Sequence, residues 1–483
     1  MATLQVQRLS IAFADRQLLD DISFTLSERA RAALVGANGS GKSTLLQIVA
    51  GLMSADIYEY AQPKDMRISY LPQSDIVLEE GTAYEQVELA YDRFLPLVDE
   101  QHAIEERLAR GELSDYLLQR LHEIQEALLG EGYHDRKTEI AIILKGLGFH
   151  DGDLHRPCSE FSGGWQMRIA LAKVLAEKPH LLLLDEPTNY LDIEARYWLR
   201  NYLRVYPESV MIVSHDRSFL DETINEVFEL FQGQLKRYKG TYSQYEKQRE
   251  NEIRSLIHAY EQQQEEIRKQ ELFIERFRAK ASKARQVQGR IKQLEKLEII
   301  EIPEHLRNLS FSFPPAPHSG KQVLKIEDLT KRYGSLTVFE HFDSIVMKGE
   351  RIAVVGKNGT GKSTLLRILA GIDTDYRGKL TVGSGVQIGY FAQDAKQTLD
   401  DSNTVLEELG SVASTADIPR LRTYLGSFLF SGDDVFKRVG ILSGGERSRL
   451  ALLKTLMNPV NLLILDEPTN HLDISAKKAI LQA

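Results

Sequence analysis

The sequence predicts an α/β fold used twice along one chain, with a charged helical hairpin between the two copies. Three observations carry that reading. Distinct segments recur in the same order in both halves. Each recurring glycine-rich segment lies between an apolar, strand-like run and a helix-forming run. Between the copies the composition changes to a dense mixture of Glu, Gln, Lys and Arg with helical spacing of its apolar residues.

The repeat comes first. GANGSGKSTLL at Gly36–Leu46 returns as GKNGTGKSTLL at Gly356–Leu366. FSGGWQMRIAL at Phe161–Leu171 returns as LSGGERSRLAL at Leu442–Leu452, and LLLLDEPTNYLD at Leu181–Asp192 as LLILDEPTNHLD at Leu462–Asp473. Gly36 to Gly356 and Gln73 to Gln393 are both separated by 320 positions, whereas Ser162 to Ser443 and Asp185 to Asp466 are both separated by 281. The first copy therefore carries 39 additional residues between Gln73 and Ser162. That stretch is rich in helix formers, with Leu113, Leu117, Leu118, Leu121, Ile124 and Leu128 at helical spacing. It reads as a helical hairpin inserted at about 88–137 of a first domain spanning 1–238.

The linker covers 239–317, and the second domain 322–483. Ile253, Leu256, Ile257, Tyr260, Ile267, Ile274 and Phe277 form one apolar stripe, and Val287, Ile291, Leu294 and Leu297 another. Two antiparallel helices packed as a coiled coil satisfy both stripes, with a turn accommodated by Gly289 and the small residues around Ala279–Ala284. Pro303, Pro314, Pro315 and Pro317 then end the helical stretch.

Composition narrows the function. The chain has 483 residues, 42% of them hydrophobic, which suits large cores. A formal charge of -9 makes any contact with a polyanion a local matter. The single cysteine, Cys158, excludes a disulfide framework. The N-terminus lacks a signal-peptide pattern, and no apolar stretch approaches the ~18 residues of a membrane span. The expectation is a cytoplasmic protein without a membrane span.

Gly36–Ser43 and Gly356–Ser363 each match G-x-x-x-x-G-K-[ST] between an apolar strand (RAALVG, RIAVVG) and a helical run. Such a loop turns backbone N–H groups inward to cradle phosphates, and the helix N-terminus adds partial positive charge. Gly36, Asn38, Gly39, Gly41, Lys42, Ser43 and Thr44 make the first candidate ATP loop. Gly356, Asn358, Gly359, Gly361, Lys362, Ser363 and Thr364 make the second. Ser43 and Ser363 are candidate Mg²⁺ ligands. Asp185 and Asp466, each after four apolar residues, read as carboxylates at the ends of buried strands, able to hold Mg²⁺ through water. Glu186 and Glu467 are placed to polarise the attacking water. His215 follows another strand, 29 residues after Glu186, and is the candidate that orients that water. The same spacing from Glu467 points to position 496, so the second copy reads as C-terminally truncated.

LSGGE beside DEPTN identifies the ABC ATPase superfamily. Two such domains, with FSGGWQ in the first and DEPTNYLD and DEPTNHLD in turn, closely resemble the ABC-F subfamily. The run FIERFRAKASKARQVQGRIKQLEK looks like the linker of its YheS-like and Uup-like bacterial members. The resemblance covers essentially the whole chain and implies two ABC-type P-loop NTPase domains that sandwich two ATP molecules head to tail. It implies that Ser162, Gly163, Gly164 and Gln166 serve the second ATP, and Ser443, Gly444, Gly445 and Glu446 the first. It adds Gln73 and Gln393 as contacts of ATP and Mg²⁺, and Phe13 and Tyr333 as rings stacking on adenine. Trp165 replaces the usual Glu, as the family does in its first domain.

Characterised ABC-F proteins bind ribosomes and direct the linker tip toward tRNA. Here Arg276, Arg278, Lys280, Lys283, Arg285, Arg290 and Lys292 fall in 276–292 with no acidic residue among them. In an acidic chain, seven like charges at a hairpin tip are the obvious RNA-facing element. The expectation is an ATP-gated, ribosome-associated ATPase contacting rRNA and tRNA, with no obligate protein partner evident. A DNA-binding ATPase of the Uup type and the energy-coupling subunit of a membrane transporter are the alternatives.

Overall fold

The computed structural model describes residues 4–13, 16–37, 39–74, 76, 78–277, 283–295, 297, 316–334, 336–392, 399–413, 415, 417–428, 430, 432–442, 444–458 and 460–468. The chain divides into two compact units: Met1–Tyr242 with Ile352–Lys362, and Ser243–Arg351 with Ser363–Ala483.

In the first unit β1 (Leu4–Phe13) and β2 (Arg16–Leu26) form an antiparallel pair. β3 (Arg31–Val35) leads through the P-loop into α1 (Lys42–Val49), and β4 (Ile57–Ala61) returns to pair with β1. β5 (Ile68–Leu71) precedes a helical section: α2 (Ala83–Glu88), α3 (Leu95–Ala109), α4 (Asp115–Gly130), α5 (Arg136–Gly146) and α6 (Gly163–Ala176). Then come β6 (Leu181–Asp185), α7 (Ile193–Val205), β7 (Ser209–Val213), α8 (Arg217–Thr223), β8 (Glu226–Phe231) and β9 (Gln234–Lys239).

The main sheet runs β5-β6-β7-β3-β8-β9, parallel except for the β8–β9 pair. Its central strands, such as LLLLD and SVMIV, are buried along their whole length, as strands covered on both faces must be. Their parallel direction brings the loops after β3, β5, β6 and β7 to the carboxyl edge of one sheet, where open α/β sheets place ligands. Helices α3 and α4 pack side by side, joined by Arg120 in a two-pronged pair with Glu100 at 2.8 and 2.9 Å. Ile104, Leu117, Ile124 and Leu128 are buried there. Leu113 belongs to the connecting turn and is exposed, because the polypeptide reverses before its position reaches the helical seam.

In the second unit α9 (Tyr242–Phe277) is a helix of 36 residues, followed by α10 (Ala284–Glu295). Gly289 lies inside α10 and not in a turn, since the surrounding Gln, Arg and Lys residues sustain the helix across one glycine. β10 (Gln322–Tyr333), β11 (Leu336–Met347) and β12 (Arg377–Val382) form a sheet in the order β11-β10-β12. α11 (Lys362–Leu369) follows the second P-loop. β13 (Ile388–Phe391) pairs in parallel with β14 (Leu462–Leu465), and α12 (Val405–Gly410), α13 (Leu421–Ser427) and α14 (Gly444–Met457) lie between them in sequence.

One expected strand is absent. The apolar residues of RIAVVG form no strand, and Val355 is 75% exposed. β3 is held from both sides by β7 and β8, and among the described residues 352–355 have no such pair of neighbours. A four-residue apolar run without a strand partner among the described residues leaves its backbone groups unpaired and does not persist as sheet.

Candidate functional site

The first P-loop is shaped by its glycines. A Cβ on Gly36 would lie 2.5 Å from Leu230 O, so only glycine fits. Gly39 and Gly41 adopt φ of 74° and 101°, which side-chain-bearing residues avoid. Asn38 lies outside the described residues. Lys42 Nζ donates to Gly36 O and Ala37 O, both at 3.0 Å, and is buried. Ser43 and Thr44 open α1.

Ser43 hydrogen-bonds Asp185, whose carboxylate is 1% exposed at the end of β6. Burial pushes the Asp185 carboxyl above the usual range, opposed by the Ser43 hydroxyl and the Lys42 charge. Tyr70 on β5 donates its hydroxyl to Asp185 Oδ2 at 3.5 Å. Burial first, and the Asp185 charge second, push the Tyr70 phenol up to about 12, so at neutral pH it keeps its proton. Gln73, just past β5, is exposed at the same sheet edge.

Glu186 is buried with φ of 52°, an uncommon conformation for a residue with a side chain. Its N–H donates to Val213 O at 2.8 Å. Its Oε1 lies 3.4 Å from His215 Nε2, and its Oε2 accepts from the His215 N–H at 3.2 Å. Thr188 and Ser214 hydroxyls meet at 3.1 Å, joining the two loops. Asp216 caps α8 by accepting from Phe219 N at 3.1 Å, which fixes the backbone next to His215. The expected group of Lys42, Ser43, Asp185, Glu186 and His215 is thus a connected cluster. A hydroxyl against one carboxylate suits Mg²⁺, which takes few protein ligands and completes its shell with water and phosphate. Among the described residues no group of three or more His, Cys, Asp or Glu could hold a metal alone.

The signature turn makes different contacts. Ser162 is exposed as the N-cap of α6, with Gly163 and Gly164 in its first turn, so backbone N–H groups face outward. Gln166 turns inward, donating to Cys158 O at 3.2 Å and Phe161 O at 3.1 Å. Trp165 packs edge-on against Phe149 at 4.8 Å and over Arg168 at 4.4 Å. Sequence reasoning did not single out Arg168. It is buried and donates to Leu147 O at 2.8 Å, Tyr190 O at 2.9 Å and Asp192 Oδ2 at 3.4 Å. It thereby ties the signature helix to the DEPTNYLD segment.

The second copy repeats much of this. Gly359 and Gly361 have φ of 80° and 90°. Lys362 Nζ donates to Gly356 O at 2.8 Å and Lys357 O at 2.7 Å. Asn358 Nδ2 donates to Tyr190 O at 3.3 Å. Ser363 and Thr364 open α11. Tyr390 donates to Asp466 Oδ2 at 3.5 Å, and Glu467 has φ of 50°. Gly444, Gly445 and Glu446 open α14, whereas Gln393 and Ser443 lie outside the described residues. Phe13 and Tyr333 end β1 and β10 with about half of each ring exposed. The Tyr333 hydroxyl donates to Asp373 at 3.3 Å, and buried Lys331 lies 4.7 Å from its ring.

Of the linker cations, Arg276, Arg285 and Lys292 are exposed on α9 and α10, and Lys283 is half-buried. Arg290 lies within α10, while Arg278 and Lys280 fall outside the described residues.

The fold and these motifs define a pair of ABC-type ATPase domains, and comparison with known proteins agrees. The family model described as ABC transporter matches residues 19–189 and 339–470, and a second with that description matches 228–313. The chain is 36% identical to the probable ATP-binding protein YheS of Escherichia coli (strain K12), over 100% of this chain and 74% of that one. It is 32% identical to ABC transporter F family member 5 of Arabidopsis thaliana, over 99% of this chain and 70% of that one. An archaeal ribosome recycling factor, aABCE1, solved with the ribosomal stalk protein aP1, shares the fold at a TM-score of 0.54 and 20% identity, over 99% of this chain and 81% of that one. The chain belongs to the ABC-F subfamily of ABC ATPases. Among the described residues no helix is long and apolar enough to cross a membrane.

Proposed function

We propose that this ABC-F ATPase is an ATP-gated factor that engages the ribosome through its linker, with ATP holding the two domains together and hydrolysis releasing them. The observation that carries this reading is the basic stretch 276–292, free of acidic residues in a chain of net charge -9. Exposed Arg276, Arg285 and Lys292 supply point charges for a phosphate backbone. A two-state element of this kind needs a ligand that binds one state better, and the γ-phosphate bridging P-loop and signature serine would supply it. Asp185 and Asp466 would hold Mg²⁺, with Glu186, Glu467 and His215 acting on water. In this reading Phe13 and Tyr333 receive the adenine.

The test is sedimentation of E186Q/E467Q with ATP through a sucrose gradient containing ribosomes. The doubly substituted protein is expected in the ribosomal fractions, and R276A/R285A/K292A in the same background is expected to shift toward the top. Protein that stays at the top with ATP, or that binds duplex DNA equally well, overturns the ribosomal reading.

A further inference from the structure

The same tyrosine contact occurs twice in structurally separate parts of the chain. Tyr70 Oη donates to Asp185 Oδ2, and Tyr390 Oη to Asp466 Oδ2, each at 3.5 Å. The register of the strands explains why. β5 and β6 run parallel with Tyr70 opposite Leu183, and β13 and β14 run parallel with Tyr390 opposite Ile464. In both pairs the tyrosine lies two positions short of the aspartate, within the span of one phenol ring. The next residue in each strand, Leu71 or Phe391, is buried in the core, so alternation turns the tyrosine to the other face. Both aspartates are nearly enclosed, at 1% and 4% exposure. Gln47 of α1 hydrogen-bonds the Tyr70 phenol as well, linking it to the helix that follows the P-loop.

We propose that Tyr70 and Tyr390 are positioning residues that fix the rotation of the metal-binding aspartates, so that one carboxylate oxygen stays directed to Mg²⁺ while the phenol restrains the other. The proposal rests on the reading of Asp185 and Asp466 as Mg²⁺ ligands. A carboxylate rotates freely about its terminal bond unless something holds it, and groups that hold a ligand in place control metal affinity. The phenol touches neither nucleotide nor water in this scheme, so it affects metal binding without taking part in bond cleavage.

Removing one oxygen atom tests this. Binding of a fluorescent ATP analogue is measured without metal and then during an Mg²⁺ titration, for the parent, Y70F/Y390F and D185N/D466N. In Y70F/Y390F the Mg²⁺ half-saturation is expected to rise roughly 3–10-fold, the scale of one net hydrogen bond. Its metal-free binding should stay within about twofold of the parent, since the ring and its packing remain. An unchanged Mg²⁺ curve overturns the proposal, as does an equal loss of metal-free binding, which would mark the phenol as structural. D185N/D466N should lose the Mg²⁺ response, and its retention would instead overturn the assignment of the aspartates.

Discussion

The two P-loops hold their lysines in the same way, yet the chain leading into them differs. Lys42 and Lys362 each bond the carbonyls of the loop's first two residues, and the glycines two and four positions before each serine have positive φ. RAALV before the first loop is a buried strand between two neighbours, while 352–355 before the second is exposed and not a strand. Loop geometry is therefore local, set by where glycine stands. A strand is not local: its backbone groups need partners from elsewhere in the chain. Glu186 and Glu467 divide along the same line. Both have positive φ after their strands, but Glu186 is buried against His215 of the loop after β7, and Glu467 is exposed.

That contrast can be broken first at the glutamates. E186Q is expected to lower phosphate release by roughly 10²–10⁴-fold, the contribution of a positioned acid–base group. E467Q should lower it less, because Glu467 is exposed where Glu186 is buried beside His215. Equal losses in single-turnover assays would show that burial beside His215 is not what sets the two apart.

A second, smaller effect sharpens the account of Asp185. Its carboxyl is raised by burial in the folded protein. The folded state therefore binds this proton more tightly than the unfolded state does. Stability from this group is greatest at low pH and falls as pH rises through the raised value. D185N, which cannot ionise, should have the higher melting temperature without nucleotide at pH 8, and the gap should close as pH falls toward about 4. A gap that widens on acidification would reverse the sign of the burial argument.

The smallest effect should be the same in both halves. Thr82 at the start of α2 and Thr404 at the start of α12 each accept from the backbone three residues on, at 3.2 Å, while Glu85 and Glu407 close the box. T82A and T404A should each cost about 1 kcal/mol in urea unfolding. A large difference between them would show that a local cap depends on the sheet around it.

The legible parts of the site were those that repeat as short motifs. Gly39, Gly41, Lys42, Asp185 and Glu186 occupy fixed places within a few residues of one another or of a strand end, so spacing was enough to find them. Arg168 and Tyr70 were passed over because each acts across the fold. Arg168 bonds residues up to 24 positions away, and Tyr70 reaches an aspartate 115 positions on. A signal was nevertheless present: Arg449 and Tyr390 stand at the matching places in the second copy. Trp165 was visible as a departure from pattern, but its packing on Phe149 and Arg168 was not.

What the amino-acid order determined alone was chemistry that neighbours in sequence complete: the phosphate loops, the capped helix starts, the long charged helix of the linker and the doubling of the whole arrangement. Tertiary structure decided which apolar runs became strands, where Gln166 turned, and which carboxylate met a histidine. The reason is range. Positive φ and caps depend on a few adjacent residues, whereas strand pairing and buried polar contacts depend on partners that only the folded chain brings within reach.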